Sequence, residues 1–181
     1  MRQKFVFLDR DGVINHGFDN GYVDHLSKLR FVPRSLSALR RLHRAGYKVV
    51  VISNQAGVSK GFYTRKVLRE VTHEIVERVR KNGGKIDAIY YCPHQSIERC
   101  VCRKPKVGLF REARRRFGVR WKETFFIGDS RVDVEAGKAI GCCAVLVLSG
   151  RTRKKPDWEI MPDIIRKDLW DAVDWILKKR S

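Results

Sequence analysis

Short apolar runs alternate along this chain with longer segments in which apolar residues recur every three or four positions. The run Phe5 to Leu8 has the composition of a buried strand, and so does Tyr47 to Ile52. Between them, Ser35 to Ala45 places apolar residues at 36, 39 and 42, on one helical face, and Gly46 follows as a stop. A strand, a helix and a second strand in this order predict a βαβ unit with parallel strands.

The alternation continues towards the C-terminus. Thr64 is predicted to cap a helix that ends at Asn82-Gly83-Gly84. Further strands are predicted at 86–91, 124–127 and 144–148, and further helices at 109–117, 132–140 and 169–177. The sequence therefore predicts an α/β fold with three layers, a Rossmann-like arrangement in which helices cover both faces of a central parallel sheet.

Composition limits the classes of protein to consider. A chain of 181 residues with 43% apolar content can bury one core, so we expect a single domain over 1–181. Its longest apolar runs fall short of the roughly 20 residues that a membrane helix needs. The N-terminus lacks the apolar region of a secretory signal, and we expect a cytosolic protein. Five cysteines, an odd number, then favour thiolate or metal chemistry over disulfides.

The net charge of +19 raises phosphorylated ligands and nucleic acid as partners. The basic residues are distributed over several segments, which is typical of solvated helix faces and a basic tail. These segments are 34–44, 111–116, 151–155 and 178–180. The charge alone therefore predicts no function.

Polar residues follow four of the predicted strands. The carboxyl ends of parallel strands meet at one edge of the sheet, where ligands bind in folds of this class. The four segments are Asp9-Arg10-Asp11-Gly12, Ser53-Asn54-Gln55, Arg103-Lys104-Pro105, and Gly128-Asp129-Ser130 with Asp133. Clustered carboxylates repel one another unless a divalent cation lies among them, and hard oxygen ligands suit Mg²⁺. A lysine and a serine can hold phosphoryl oxygens, so the set predicts phosphoryl transfer.

These segments resemble the four motifs of the haloacid dehalogenase (HAD) superfamily of phosphatases, in order along nearly the whole chain. A lone Asp-x-Asp is common in surface turns, so the resemblance depends on all four motifs together. They are Asp9-x-Asp11-Gly12, Ser53, Lys104 and Gly128-Asp129-x-x-x-Asp133.

The resemblance implies a mechanism with a covalent intermediate. Asp9 is expected to attack phosphorus and form an aspartyl-phosphate, while Asp11 protonates the leaving oxygen and later activates water. Magnesium is expected on the Asp9 carboxylate, the Asp11 backbone carbonyl and Asp129. Ser53 and Lys104 are expected to hold the phosphoryl oxygens. Asp133, the last residue of the fourth motif, is expected to orient Lys104 or metal-bound water.

Three cysteines and a histidine lie close together in the segment 92–102. Cys92-x-His94 and Cys100-x-Cys102 offer the ligand set of a closed, tetrahedral structural zinc site. The alternatives are plain buried thiols or a Cys100–Cys102 disulfide, and the disulfide is sterically awkward and disfavoured by a cytosolic location. Zinc would fix the loop that ends at Lys104.

Within the superfamily, the cysteine loop and the first motif resemble two neighbouring groups, the heptose 1,7-bisphosphate phosphatases and the histidinol-phosphate phosphatases. Segments 19–23, 54–58 and 61–64 are more similar to the heptose group. That resemblance implies removal of the C7 phosphate of D-glycero-D-manno-heptose 1,7-bisphosphate, in the synthesis of nucleotide-activated heptose for lipopolysaccharide or a related glycan. The substrate contacts that it implies are Asp19, Asn20, Gly21, Tyr22, Ser53, Asn54, Gln55, Ala56, Arg103 and Lys104.

No long insertion interrupts the motifs, so no large cap domain is predicted over the site. An uncovered site is open to larger substrates, which keeps a polynucleotide 3′-phosphatase as an alternative beside the histidinol-phosphate phosphatase. No aromatic stacking surface is evident beside the site residues, which disfavours nucleic acid. A binding module without activity is disfavoured because every catalytic residue type is present. We expect a monomer that acts on a small phosphorylated sugar, with no membrane partner.

Overall fold

A computed structural model describes residues 3–18 and 21–179. Six parallel strands form one sheet in the spatial order β3-β2-β1-β4-β5-β6. The strands are β1 (Lys4–Leu8), β2 (Tyr47–Asn54), β3 (Ala88–Cys92), β4 (Phe125–Gly128), β5 (Cys143–Val147) and β6 (Ile164–Arg166). Asp19 and Asn20, which were predicted to contact the substrate, lie outside the described residues.

Helices connect the strands, and their ends follow the signals in the sequence. The helices are α1 (Ser35–Arg44), α2 (Arg65–Lys81), α3 (Gly108–Phe117), α4 (Arg131–Ile140) and α5 (Leu169–Lys179). The Thr64 side chain accepts a hydrogen bond from the backbone N–H of Val67 and so caps α2, as predicted. Gly118 and Gly141 end α3 and α4 in the left-handed conformation that glycine adopts without strain.

The central strand β1 divides the core into two faces. Val6 and Leu8 pack with α1, α2 and α5 on one face, and Phe5 and Phe7 pack with α3 and α4 on the other. A parallel sheet that is covered in this way is buried on both faces, which explains the uninterrupted apolar runs of its strands. The three-layer α/β prediction is therefore confirmed.

The order of the strands creates a crevice at the carboxyl edge. From β1 the chain continues to β2 and β3 on one side, and it crosses to β4, β5 and β6 on the other. The connections after β1 and β4 therefore leave the sheet in opposite directions, which is where open α/β sheets bind ligands. Asp9 follows β1 and Asp129 follows β4 directly.

The edge strand β6 was not predicted from the sequence. Its three residues are half-buried at the edge of the sheet, and a segment that short has no measurable alternation. As predicted, no inserted domain covers the carboxyl edge within 3–18 and 21–179. Across the same residues, every helix is too short or too polar to cross a membrane.

Candidate active site

Lys104 lies at the centre of a buried cluster of carboxylates. Its Nζ is 2.7 Å from Asp133 Oδ1 and 3.1 Å from Asp9 Oδ1, and it donates a 2.8 Å hydrogen bond to the carbonyl oxygen of Ile52. Carboxylate oxygens of Asp9, Asp129 and Asp133 lie within 4.8 Å of one another. The fold thus brings together residues of the first, third and fourth motifs. Asp133 contacts the lysine, which is one of the two roles expected for it.

Burial and mutual repulsion perturb this cluster. Burial raises the pKa of Asp9 to about 6, with Lys104 opposing the shift and Asp133 adding to it. Burial, followed by repulsion from Asp133 and Asp9, raises the pKa of Asp129 well above its ordinary value. The lysine offers one positive charge to three carboxylates, which leaves an excess of negative charge. A divalent cation would remove that excess, and carboxylate oxygens are the ligands that Mg²⁺ prefers.

Two glycines let the backbone approach the carboxylate of Asp129. A Cβ atom on Gly12 or on Gly150 would lie only 2.1 Å from Asp129 Oδ2. The backbone N–H of Arg151 donates a 2.7 Å hydrogen bond to the same oxygen. The carboxylate therefore lies closely against the backbone of two loops, and one of them donates a hydrogen bond to it. Such fixed oxygens suit the strict geometry of a magnesium site. Asp11, predicted as a ligand through its backbone carbonyl, adds no side-chain oxygen to this cluster.

The end of β2 supplies two further groups. Ser53 is buried beside the cluster and lines the same cavity as Asp9 and Lys104. The neighbouring Asn54 clamps the lysine's backbone, since its Nδ2 donates to the Lys104 carbonyl at 3.1 Å and its Oδ1 accepts from the Lys104 N–H at 3.0 Å. Asn54 therefore fixes the loop that carries the lysine, in addition to lining the cavity.

Asp11 lines the cavity within a network of hydrogen-bond donors. Its carboxylate accepts from Arg10 Nε at 3.1 Å and Nη2 at 2.9 Å, from Asn15 Nδ2 at 2.8 Å and from Gln55 Nε2 at 2.7 Å. Arg10 and Asn15 were not predicted as site residues. Local sequence carried no signal for them, because their partners are fixed only by the turn after β1.

A cavity of about 720 Å³ opens from the cluster, within the range of small-molecule sites. It is lined by most residues that were predicted as catalytic, as substrate contacts or as magnesium ligands. These are Asp9, Asp11, Gly21, Tyr22, Ser53, Asn54, Ala56, Arg103, Lys104 and Asp129. Gln55 is the exception, because its side chain is 1% exposed and lies behind Asp11, outside the lining. The structure therefore gives no support for Gln55 as a substrate contact, and places its side chain against Asp11 instead.

Two features of the cavity wall were missed from the sequence. Phe18 and Tyr22 line it, and the exposed ring of Phe62 stacks on Tyr22 with centroids 5.4 Å apart, so an aromatic surface does adjoin the site. The segment 151–155 is a loop at the cavity rather than a helix face. The cations along the wall are Arg99, Arg103, Lys104, Lys106, Arg151 and Arg153.

The predicted zinc ligands converge in the loop after β3. Cys92 Sγ lies 3.6 Å from Cys100 Sγ and 3.2 Å from Cys102 Sγ, and His94 Nδ1 lies 3.2 Å from Cys102 Sγ. A tetrahedral zinc with Zn–S bonds of about 2.3 Å would separate its ligand atoms by about 3.8 Å, so the four groups fit such a site with a small expansion. No disulfide joins Cys100 and Cys102. Burial opposes ionisation of Cys100, but hydrogen bonds from Cys102 and the backbone lower its pKa to about 6.

Comparison with known proteins gives a consistent result. The family model described as HAD-hydrolase-like matches residues 101–172. The D-glycero-beta-D-manno-heptose-1,7-bisphosphate 7-phosphatase of Pseudomonas aeruginosa is 40% identical over 159 residues, which cover 86% of this chain and 89% of the relative. The enzyme of the same name from Helicobacter pylori J99 is 35% identical over 175 residues, which cover 96% of this chain and 97% of the relative.

A similar solved structure is the D,D-heptose 1,7-bisphosphate phosphatase from B. bronchiseptica, crystallised with magnesium and phosphate. Its TM-score is 0.91 at 31% identity, and the match covers 98% of this chain and 99% of that one. The phosphatase of the same name from Burkholderia thailandensis has a TM-score of 0.74 at 30% identity, with 97% and 99% covered.

Proposed function

Because this chain belongs to the HAD-like hydrolases and, among them, to the D-glycero-beta-D-manno-heptose-1,7-bisphosphate 7-phosphatases, we propose that it removes the C7 phosphate of D-glycero-D-manno-heptose 1,7-bisphosphate. The observation that carries the proposal is the cluster of Asp9, Asp129 and Asp133 around Lys104, at the crevice of the sheet. A nucleophilic carboxylate, a buried cation and a place for a divalent metal are the parts that phosphoryl transfer needs. The product would enter the synthesis of nucleotide-activated heptose.

In the first step, a carboxylate oxygen of Asp9 attacks phosphorus, and the bond between phosphorus and the C7 oxygen breaks. Asp11 gives its proton to that leaving oxygen, so the sugar departs as a neutral alcohol. In the second step, Asp11 takes a proton from water, whose oxygen attacks the phosphorus of the aspartyl-phosphate and releases Asp9. Lys104 and Ser53 hold the phosphoryl oxygens throughout. This division of roles is supported by the cavity that all four side chains line.

Magnesium fits the cluster as its resident metal. The carboxylates of Asp9 and Asp129, with the backbone carbonyl of Asp11, would hold it, and Asp133 would act on the ammonium of Lys104. When bound, Mg²⁺ supplies positive charge that neutralises the phosphoryl oxygens as charge develops on them.

The rest of the cavity suits a sugar that carries a second phosphate. Arg103 lies on the wall near Lys104, and a guanidinium is well shaped to bind two phosphate oxygens at once. Phe18 and Tyr22 in the lining offer apolar surface to the C–H groups of a sugar ring. We assign Gly21, Asn54 and Ala56 to substrate contact on the same ground, their place in the lining.

We further assign a structural zinc ion to Cys92, His94, Cys100 and Cys102. Four protein ligands leave no open position, so this metal would have no role in the chemistry. It would fix the loop that carries Arg103 and Lys104, because the last ligand precedes the lysine by two residues. Reduced thiols of this kind suit a cytosolic enzyme. We also propose that the protein is a monomer with a single domain.

The test is phosphate release in Mg²⁺ from the α and β anomers of the heptose bisphosphate, histidinol phosphate and a 3′-phosphorylated oligonucleotide. We expect the bisphosphate to be preferred by orders of magnitude in kcat/KM, and Asp9→Asn to be inactive. The aromatic surface of Phe18, Tyr22 and Phe62 and the net charge of +19 keep the oligonucleotide as the second candidate. Preference for histidinol phosphate or the oligonucleotide would refute the heptose assignment and leave the chemistry intact.

A further inference from the structure

Arg10 stands between Asp9 and Asp11 in the sequence, and its side chain is almost completely buried. Its exposed fraction is 2%, and it does not line the cavity, so it has no access to substrate. Its guanidinium donates through Nε and Nη2 to Asp11, through Nη2 to Gln55 Oε1 at 3.0 Å, and lies 5.6 Å from the ring centre of Tyr91. Its Nη1 has no hydrogen-bond acceptor among the described residues. Such a group is costly to bury, which argues against packing as the reason for an arginine here.

Gln55 completes the contact to Asp11 from the opposite side. Its Nε2 donates to Asp11 Oδ2 at 2.7 Å and to Ser53 Oγ at 3.1 Å, and its Oε1 accepts from Arg10 and from the Tyr63 hydroxyl at 2.6 Å. Burial raises the pKa of Tyr63, so its hydroxyl stays protonated and donates. If the Gln55 amide were flipped, its N–H groups would face two hydrogen-bond donors, Arg10 and Tyr63. The arginine and the tyrosine therefore set the orientation of the glutamine.

These contacts fix the plane of the Asp11 carboxylate. Arg10 and Asn15 donate to Oδ1, and Arg10 and Gln55 donate to Oδ2. A carboxylate in water rotates freely about its Cβ–Cγ bond, and proton transfer needs one oxygen at hydrogen-bond distance from the reacting oxygen. Side chains buried behind the cavity remove this freedom without touching the substrate.

We propose that Arg10 is a positioning residue, which together with Gln55 and Tyr63 holds the Asp11 carboxylate in the orientation for proton transfer to the leaving oxygen. The inference rests on the proposed role of Asp11 and is independent of which sugar phosphate is the substrate. A purely structural role for the arginine would lower activity equally for every substrate. A positioning role lowers it most where the leaving oxygen needs a proton.

The experiment is a series of aryl phosphates of increasing leaving-group basicity, from p-nitrophenyl to phenyl phosphate, with kcat/KM measured for each in Mg²⁺. This parameter covers only the steps up to the departure of the leaving group. For Arg10→Met we expect kcat/KM for p-nitrophenyl phosphate to decrease by no more than about threefold. For phenyl phosphate we expect kcat/KM to decrease by about 10- to 100-fold, since general acid catalysis contributes at least that much. Asp11→Asn is expected to show the same pattern more steeply.

Two milder variants guard against loss of folding in Arg10→Met. Tyr63→Phe removes only the hydroxyl that orients Gln55, and its kcat/KM is expected to fall more for phenyl than for p-nitrophenyl phosphate. Tyr90→Phe is the matched control, because its hydroxyl makes no hydrogen bond to this network, and it should leave both values unchanged. Equal losses across the series in both Arg10→Met and Tyr63→Phe would overturn the proposal. Failure of the heptose assignment would instead appear in the substrate panel and leave this series unaffected.

Discussion

Gly12 and Gly150 offer a direct test of the site around Asp129. A Cβ on either would lie 2.1 Å from Asp129 Oδ2, but only Gly12 has a left-handed backbone, with φ of +84°. Gly46 has the same backbone conformation, with φ of +77°, and no atom within 4 Å of an added Cβ. Alanine at these three positions therefore separates backbone strain from contact with the carboxylate. Gly46→Ala carries the strain alone, Gly150→Ala the contact alone, and Gly12→Ala both.

The magnitudes follow from these two contributions. Backbone strain at a left-handed position costs about 1 to 2 kcal/mol, and forced packing costs about 1 to 3 kcal/mol. We expect unfolding free energies lower by about 1 to 2 kcal/mol in Gly46→Ala, about 1 to 3 in Gly150→Ala and about 2 to 5 in Gly12→Ala. For a domain of this size, each kcal/mol lowers Tm by about 2 to 4 °C.

Magnesium dependence distinguishes the variants further. Displacement of Asp129 should weaken metal binding about 10- to 100-fold, the usual effect of disturbing the support of a metal ligand. Activity titrated with Mg²⁺ should thus show a raised half-saturation in Gly12→Ala and Gly150→Ala, and an unchanged one in Gly46→Ala. If Gly150→Ala reaches half-maximal activity at the same Mg²⁺ concentration as the parent, the assignment of Asp129 to the magnesium site is refuted. A raised half-saturation in Gly46→Ala would show that strain alone produces the effect.

Three further predictions concern charge and the second metal. In EDTA at pH 7, Asp9→Asn should be more stable to urea than the parent by about 3 kcal/mol, because burial raises the Asp9 pKa from 3.8 to about 6. The cost of ionising the buried Asp9 appears in the parent as pH rises from about 4 to 6. The unfolding free energies of the parent and Asp9→Asn should therefore converge below pH 4. Elemental analysis is expected to find one zinc per chain in the parent. Cys100→Ser should lose this zinc and have a lower Tm, whereas Cys143→Ser, at a residue outside the cluster, should retain the zinc. Arg103→Ala should raise KM about tenfold for the bisphosphate and little for a sugar monophosphate, while Arg111→Ala, an exposed arginine on α3, should change neither.

Periodicity and strand ends allowed most of the fold and the reacting groups to be predicted. The apolar run before Asp9 and the helical spacing before Tyr47 define a βαβ unit, and parallel strands have only one edge at which their carboxyl ends meet. Once the strands were predicted, the convergence of Asp9, Ser53, Lys104 and Asp129 followed from topology. The cysteine loop was equally accessible, because its four ligands lie within eleven positions.

Side-chain direction at the end of β2 was not predictable in the same way. Gln55 follows Ser53 and Asn54 directly, and all three were expected to contact substrate. The backbone turns at the strand end and sends Gln55 behind Asp11, where Tyr63 and Arg10 hold its amide. These partners come from two other segments, so no local pattern indicates the turn. The aromatic surface was not predicted for a similar reason, since Phe62 stacks on Tyr22 from a different loop.

The positive charge around the cavity has a local explanation in the carboxylate cluster. The buried carboxylates of Asp9, Asp129 and Asp133 face one buried ammonium, and a divalent metal brings this set close to neutrality. A phosphate dianion that approaches a neutral centre gains little attraction from it. The attraction must then come from the wall, where arginines and lysines of the cysteine loop and of the loop after β5 line the cavity. Fields of this kind act on the rate of encounter and are screened over a Debye length of about 8 Å at physiological salt. We therefore expect the basic residues of the cavity wall to act on the second-order step, kcat/KM, while the buried cluster carries the chemistry.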